Sequence, residues 1–394
     1  MNAFITLLVV WTAHFLVDFM VGVWSVFKTM AGLDLGVAGL IAAGCGLVGE
    51  GSQILFGPLT DKGYKKQLIL LALILTSGSA LLVYTDFYLV YFLLFLLTCI
   101  GSGAFHPPAV SLTGALTEKR KALFIAIFST GGSLGLALSQ IIYSKAHHYF
   151  LGDTIVLLAP SAILFVICVF LGFWQKEQLP MQSTSSRRIG WEMVRDYFKN
   201  PSLKMLYFTQ VSSQTISWSV IFILPDILHS RGYDASIAFG GGHFAFIMGG
   251  VLMMIPSGLI ADRFSPRSYI LFASITGSTL LFAFLSMPFL SDAYLLATLM
   301  LTGSMLGTIQ PVAVALGNHL GRANPGLVSA FTMGMVWCVS EMVGPGGVGL
   351  LSGLFEEDAP AKATMVMGVL FLPSLVLCAY HLPKSAEQTE PTTG

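Results

Sequence analysis

Gly57-Pro58-Leu59-Thr60-Asp61-Lys62-Gly63-Tyr64-Lys65-Lys66 is a short polar, basic stretch between two long apolar runs. It returns, degraded, as Gly258-Leu259-Ile260-Ala261-Asp262-Arg263-Phe264-Ser265-Pro266-Arg267. In both copies an Asp stands four positions after a Gly, a cation follows at once, and another comes four or five residues later. Asp61 and Asp262 are 201 positions apart in a chain of 394 residues, so the stretch reads as one element of a duplication. A second pair agrees with it. Phe105-His106-Pro107-Pro108-Ala109-Val110-Ser111-Leu112 aligns with Ile309-Gln310-Pro311-Val312-Ala313-Val314-Ala315-Leu316, and Pro107 and Pro311 are 204 positions apart.

The runs around these stretches define the class of protein. The chain is 55% hydrophobic and 10% charged, with a mean hydropathy of +0.79. A soluble domain carries about 25% charged residues, so a chain this apolar belongs in a bilayer. A hydrocarbon core of about 30 Å takes roughly 20 apolar residues per helix. Twelve segments qualify: 3–27, 37–59, 67–85, 88–116, 122–144, 154–174, 203–228, 235–260, 268–290, 293–319, 326–354 and 361–382. Residues 3–27 lack a basic leader and are too long for a signal-peptide core, so they read as the first span. The expected fold is an all-α bundle of twelve transmembrane helices in two six-helix pseudo-repeats. The expected domains are 1–174, a linker at 175–202, 203–382, and a polar tail at 383–394. A parallel repeat of this kind places a binding cavity near the midplane.

Sixteen of the Lys and Arg residues fall on the loops of one side: Lys62, Lys65, Lys66, Lys119, Arg120, Lys121, Lys176, Arg187, Arg188, Arg195, Lys199, Lys204, Arg263, Arg267, Arg322 and Lys384. Four fall on the other: Lys28, Lys145, Arg231 and Lys362. Cytoplasmic loops carry the excess of cations, so both termini and the linker are expected in the cytoplasm. Net charge is zero, which argues against a nucleic-acid partner. Cys45, Cys99, Cys168, Cys338 and Cys378 lie inside apolar runs without metal-type spacing and read as small apolar packers.

Twelve spans, a long connection after the sixth, and a Gly-x-x-x-Asp-basic motif in loops 2–3 and 8–9 resemble the major facilitator superfamily. The resemblance covers residues 1–382. It implies a secondary transporter with alternating access, and a gating role for Asp61, Lys62, Lys65, Asp262, Arg263 and Arg267. Tyr64 and Ser265 stand where that family usually has Gly. His14-Phe15-x-x-Asp18 and Phe105-His106-Pro107 look like the fosmidomycin-resistance type of exporter, though Pro108 replaces a Glu of that type and no Arg occurs in helix 4. The Gly-rich helix 5 pattern of antiporters is loosely present as Gly131, Gly132 and Gly135, and Gly344-Pro345-Gly346-Gly347 forms a similar string in helix 11.

Ionisable residues inside the spans are the candidate site. A charge at the bilayer centre costs at least about 2.5–3.5 kcal/mol, so each one present asks for a function. They are His14, Asp18, Glu50, His106, His243 and Glu341. His14 and Asp18 are four apart and share a helix face; an imidazole beside a carboxylate in low dielectric can trade a proton. An offset of 200 sets Gln214 and Trp218 opposite them in the second half. Asp18, His14 and Glu341 are therefore the proton-coupling candidates. His106, Gln214, Trp218, Gln310, Trp337 and His243 are the cavity candidates. Glu50, between Gly49 and Gly51, reads as a gate or packing residue. His14, Asp18 and His106 are also the candidate metal ligands.

No phosphate-binding Gly-x-x-x-x-Gly-Lys-[Ser/Thr] string occurs, so ATP-driven transport by this chain alone is not expected. The leading expectation is a proton-coupled transporter of a small organic solute, by efflux, in the bacterial inner membrane. No cofactor is expected, and the protein is expected to work as a monomer whose partners are a small-molecule substrate, protons and lipid. Uptake, a metal or metallophore carrier on the same groups, an intramembrane enzyme and a channel are the alternatives. The interior has acids and His but no Lys or Arg, which favours neutral, zwitterionic, cationic or metal-bearing solutes.

Overall fold

A computed structural model describes residues 2–117, 121–175, 191–321, 328 and 330–384. Lys119, Arg120, Lys176, Arg187, Arg188, Arg322, most of the expected linker and nearly all of the expected tail lie outside the described residues. Among the described residues every regular element is helical.

The first half contains α1 (Ala3–Met30), α2 (Leu35–Leu59), α3 (Lys65–Thr76), α4 (Tyr88–Gly114), α5 (Lys121–Tyr149) and α6 (Leu158–Phe170). The second contains α7 (Trp191–Lys199), α8 (Pro201–Ser230), α9 (Gly242–Phe264), α10 (Pro266–Ser286), α11 (Asp292–Leu306), α12 (Ile309–Leu320), α13 (Val336–Ser352) and α14 (Ala359–Tyr380). Each of the twelve expected spans overlaps one or two of these helices, the span 326–354 beginning outside the described residues. Among the described residues ten runs are long and apolar enough to cross a membrane; Leu35–Tyr84 counts as one of them although it holds two expected spans, and Ile155–Phe170 is shorter.

Starts follow local chemistry. Asn2, Asp34, Asn200 and Ser265 accept hydrogen bonds from the first free amides of α1, α2, α8 and α10, which satisfies donors that a helix cannot pair internally. Pro201 and Pro266 occupy the first turn, where a missing N–H costs nothing.

Within the Gly57–Lys66 stretch the chain kinks between α2 and α3 at Thr60–Tyr64, where Gly63 takes φ 88° and ψ 14° and Tyr64 φ −90° and ψ 18°. This left-handed conformation falls on Gly63 rather than Tyr64, so a tyrosine at the neighbouring position is tolerated. Gly63→Ala is expected to cost about 1–2 kcal/mol, read as a lowered thermal unfolding midpoint in detergent.

Contacts divide the chain into two units. The first holds Met1–Ser186 with Phe239–Phe244, and the second holds Arg187–Ala238 with Ala245–Gly394. In the first, α2 crosses α4 where Gly49 meets Cys99 and Gly103 meets the Gly49 carbonyl. In the second, α9 crosses α11 where Gly249 meets the Met300 carbonyl and Gly303 meets the Phe246 carbonyl. Gly249 and Gly303 each stand 200 positions after Gly49 and Gly103. The duplication is therefore visible as matched close crossings, where a β-carbon would strike backbone.

Apolar side chains on α6 (Ile163, Phe170) and α14 (Val369, Leu377) are exposed, as helices that face lipid require. All five cysteines are free; four are buried and Cys378 is half-buried. The linker region is partly structured. α7 packs on the second unit through Tyr197, whose ring stacks on Phe331 at 4.3 Å between centroids.

The second unit is tied at one end by Arg231. Its guanidinium meets both Asp358 oxygens, at 3.3 and 2.8 Å, and the carbonyls of Phe284, Leu285 and Met287 at 3.1, 2.7 and 2.9 Å. Those carbonyls end α10 and lack helical partners. Tyr233 repeats the tie nearby, donating to the Leu290 carbonyl and accepting from its amide.

Candidate functional site

Midway along α1, His14 and Asp18 occupy one face, and α4 brings His106 to them. His14 Nε2 is 3.3 Å from Asp18 Oδ2, and His106 Nε2 is 3.7 Å from Asp18 Oδ1. His14 Nδ1 lies 2.9 Å from the Phe128 carbonyl on α5. His106 Nδ1 lies 2.9 Å from the Ser102 carbonyl, one turn back on its own helix. A carbonyl oxygen only accepts, so each Nδ1 carries the hydrogen. In the neutral rings each Nε2 is then an acceptor turned toward the carboxylate. A proton between His14 and Asp18 turns that repulsion into a hydrogen bond.

The ring positions are fixed by packing. His14 stacks on Phe128 at 4.2 Å and lies 5.4 Å from Phe105 and 5.3 Å from His106. The His14 side chain is 8% exposed, His106 15% and Asp18 23%, so the carboxylate is the most open member.

Close approach of α5 makes this possible. Gly131 meets the Trp11 carbonyl and Gly135 meets the Phe15 carbonyl, while a β-carbon at Gly132 would overlap both Asp18 Oδ2 and His14 Nε2. The antiporter-like glycine pattern is here a seat for the pair. Gly132→Ala is expected to push His14 off the Phe128 carbonyl and cut transport by at least about tenfold, with the protein still monodisperse in detergent. Transport equal to the parent would remove Gly132 from this role.

Glu50 is buried on α2 and accepts a hydrogen bond from the Gln53 amide. It lies within electrostatic reach of Asp18. His243 is buried and donates from Nε2 to the Leu136 carbonyl at 2.9 Å, within the first unit. The second-half candidates stand in the second unit. Gln214 is buried on α8, and Trp218 lies against Gly344. Gln310, Trp337 and Glu341 are half-buried. Around them α8 buries Ser212, Ser213, Thr215, Ser217 and Ser219, neutral hydroxyls where the first half has titratable groups.

Asp61, Lys62, Asp262 and Arg263 are exposed, and Lys65 and Arg267 are half-buried. Among the described residues Asp61 and Asp262 make no ion pair, and Arg267 lies over the Tyr380 ring at 4.8 Å. Sequence reasoning passed over Ser102 and Phe128. Ser102 is four residues before His106, the spacing at which a side chain can reach back to its own helix carbonyl. Phe128 contributes only its backbone oxygen, which no residue type signals.

Donor atoms of His14, Asp18 and His106 all lie within 4.8 Å of one another. Two imidazoles and a carboxylate also have the composition of a transition-ion site, so these are the residues able to hold a metal.

With fold and site in hand, comparison with known proteins identifies the class. Residues 4–345 match the sequence model of the Major Facilitator Superfamily. The chain belongs to that family and is a multi-pass membrane transporter, not an enzyme. It is 22% identical over 297 residues to the uncharacterised MFS-type transporter YfnC of Bacillus subtilis, spanning 74% of this chain and 70% of that one. Its fold is similar to an inward-facing, unoccupied bacterial homologue of the human lysosomal transporter Spinster, with TM-score 0.73, 15% identity, and 96% and 95% of the two chains covered. It is similar also to a D323A mutant of the nucleoside transporter NupG, with TM-score 0.72, 14% identity, and 96% and 98% covered.

Proposed function

We propose that this transporter moves a small organic solute out of the cell in exchange for protons. Asp18 is the coupling carboxylate, His14 and His106 are its partners, and Glu341 contributes in the second half. The observation that carries this reading is the pair of imidazoles, each with Nδ1 held by a carbonyl and Nε2 turned to one carboxylate. Such a group binds one proton well; the cation that α1 buries, Lys28, lies ten residues beyond Asp18 in the helix's last turn rather than where the sequence put it, on a loop. Protonation therefore changes the net charge of the site, which is what a coupled cycle needs.

Gln214, Trp218, Gln310 and Trp337 supply the neutral side of the substrate path. The duplicated Asp61 and Asp262 loops act as latches whose pairing changes during the cycle. The membrane is the bacterial inner membrane, with the cation-rich loops in the cytoplasm, and the protein works as a monomer. Efflux is favoured by the His14/Asp18 and His106/Pro107 resemblance to exporters.

The test is reconstitution into proteoliposomes with an internal pH-sensitive dye and a panel of neutral, zwitterionic, cationic and anionic solutes. A pH gradient should drive movement of a solute, and that solute should in turn discharge the gradient. Movement of a solute without any proton flux overturns the coupling.

A further inference from the structure

We propose that the turn Ala330–Met335 is a movable helix defect, and that Gln210 is the positioning residue that pins it and so sets the orientation of Trp337 and Glu341. This deepens the reading of those two residues given above and rests on it. Ala330–Met335 winds as a π-turn and runs on into α13, with Met335 at φ −69° and ψ −31°. A π-turn closes its hydrogen bonds over five residues instead of four, so it carries one residue more than the same stretch of α-helix. Everything after it is displaced round the axis by one residue, about 100°.

Three contacts within the second unit hold the turn. Gln210 on α8 is 0% exposed, and its amide donates to the Thr332 carbonyl at 3.2 Å. Oε1 of the same amide makes no hydrogen bond. A buried acceptor left unpaired is costly, so what this position gains from a glutamine is the donor. The Thr332 hydroxyl donates to the Val328 carbonyl at 2.8 Å. Phe331 is stacked on Tyr197 of α7 and stands edge-on to Phe198 at 5.6 Å.

The helix offers the defect a second resting place. Pro345, inside α13, has no N–H to give the ladder, and Gly344, Gly346 and Gly347 beside it carry no side chains. When the extra residue passes from Ala330–Met335 to this string, the segment between, 336–343, turns by one position. Cys338, now 8% exposed, takes the place of half-buried Val339. Ser340, whose hydroxyl now reaches the Val211 carbonyl of α8 at 3.3 Å, yields that place to Val339. Trp337 and Glu341 are carried round the axis by about 100°. Glu341 then meets two surroundings in turn, which is what a carrier asks of a group that loads on one side and unloads on the other.

Cys338 is the reporter, in the full-length protein carrying Cys45→Ala, Cys99→Ala, Cys168→Ala and Cys378→Ala. The reading is its rate of modification by N-ethylmaleimide in proteoliposomes. Gln210→Met keeps the length of the side chain and removes the donor. It is expected to speed labelling at least about fivefold, the shift in population that one lost hydrogen bond allows. Tyr197→Ala, which removes the ring over Phe331, gives the same test if Gln210→Met does not fold. Deletion of Met333, an exposed member of the turn, takes out the extra residue. It is expected to return labelling to the parent rate in the Gln210→Met background, and on its own to cut solute transport by at least about tenfold. A general loosening of the second unit would not be undone by a deletion. Parent-rate labelling in both substituted proteins overturns the proposal, as does fast labelling that survives the deletion. The coupling reading is judged separately. Labelling as expected without solute-linked proton flux removes the coupling and leaves the positioning, whereas full proton-coupled transport in the Met333 deletion keeps the coupling and removes the movable defect.

Discussion

Asp18→Asn is expected to abolish proton-driven transport while leaving folded protein in the membrane. The carboxylate is the one group that both imidazoles face, at 3.3 and 3.7 Å. An asparagine amide keeps the size of the side chain but cannot take up or release a proton. Its NH₂ group can donate to either Nε2, so the packing of α1, α4 and α5 survives. The loss then lies in chemistry rather than folding. Removing a positioned proton-transfer group typically costs about 10²–10⁴-fold in rate, which would take solute-driven proton flux below detection. The measurement is dye quenching in proteoliposomes, with gel filtration as the check on folding. Undiminished flux would sink the assignment of Asp18.

Arg231→Ala is expected to destabilise the second unit by about 1–3 kcal/mol, the range for leaving buried acceptors without their donor, since the Asp358 side chain of the pair is itself 33% exposed. The guanidinium has five N–H donors, and its five hydrogen bonds go to Asp358 and three carbonyls. The Arg231 side chain is 5% exposed. Alanine would leave the end carbonyls of α10 and the Asp358 carboxylate without these donors. Lysine is no substitute, since a point charge cannot serve both the carboxylate fork and three carbonyls. Thermal unfolding in detergent should therefore show a large fall for Arg231→Ala and incomplete recovery for Arg231→Lys. An unchanged midpoint would show that the tie is dispensable.

Much of the architecture could be read from the chain because it is written in long apolar runs and in one interval. The spans, the duplication and the His14–Asp18 pair all depend on spacing within a helix or on repetition, which are local properties. The arrival of His106 beside Asp18 depends on how α4 packs against α1, and no spacing reports that. The glycines of α5 were visible as a pattern, but their purpose was not: Gly132 matters because of what lies across from it. Arg231 looked like one of four cations on the sparsely charged side. Its worth comes from three chain segments, at residues 231, 284–287 and 358, that meet only after folding. The Gly57–Lys66 stretch, legible as a polar connection between two spans, turns on the left-handed Gly63, a backbone detail the residue types alone do not report.

The glycine gap over Asp18 has a mechanical consequence. At Gly132 the clearance between α5 and the His14–Asp18 pair is smaller than one methyl group, and about one turn away on that face of α5 stand Phe128 and Leu136. A slide of α5 by about one turn, roughly 5.4 Å, would replace the gap with a side chain. The two helices therefore cannot slide along one another without displacing the His14–Asp18 pair.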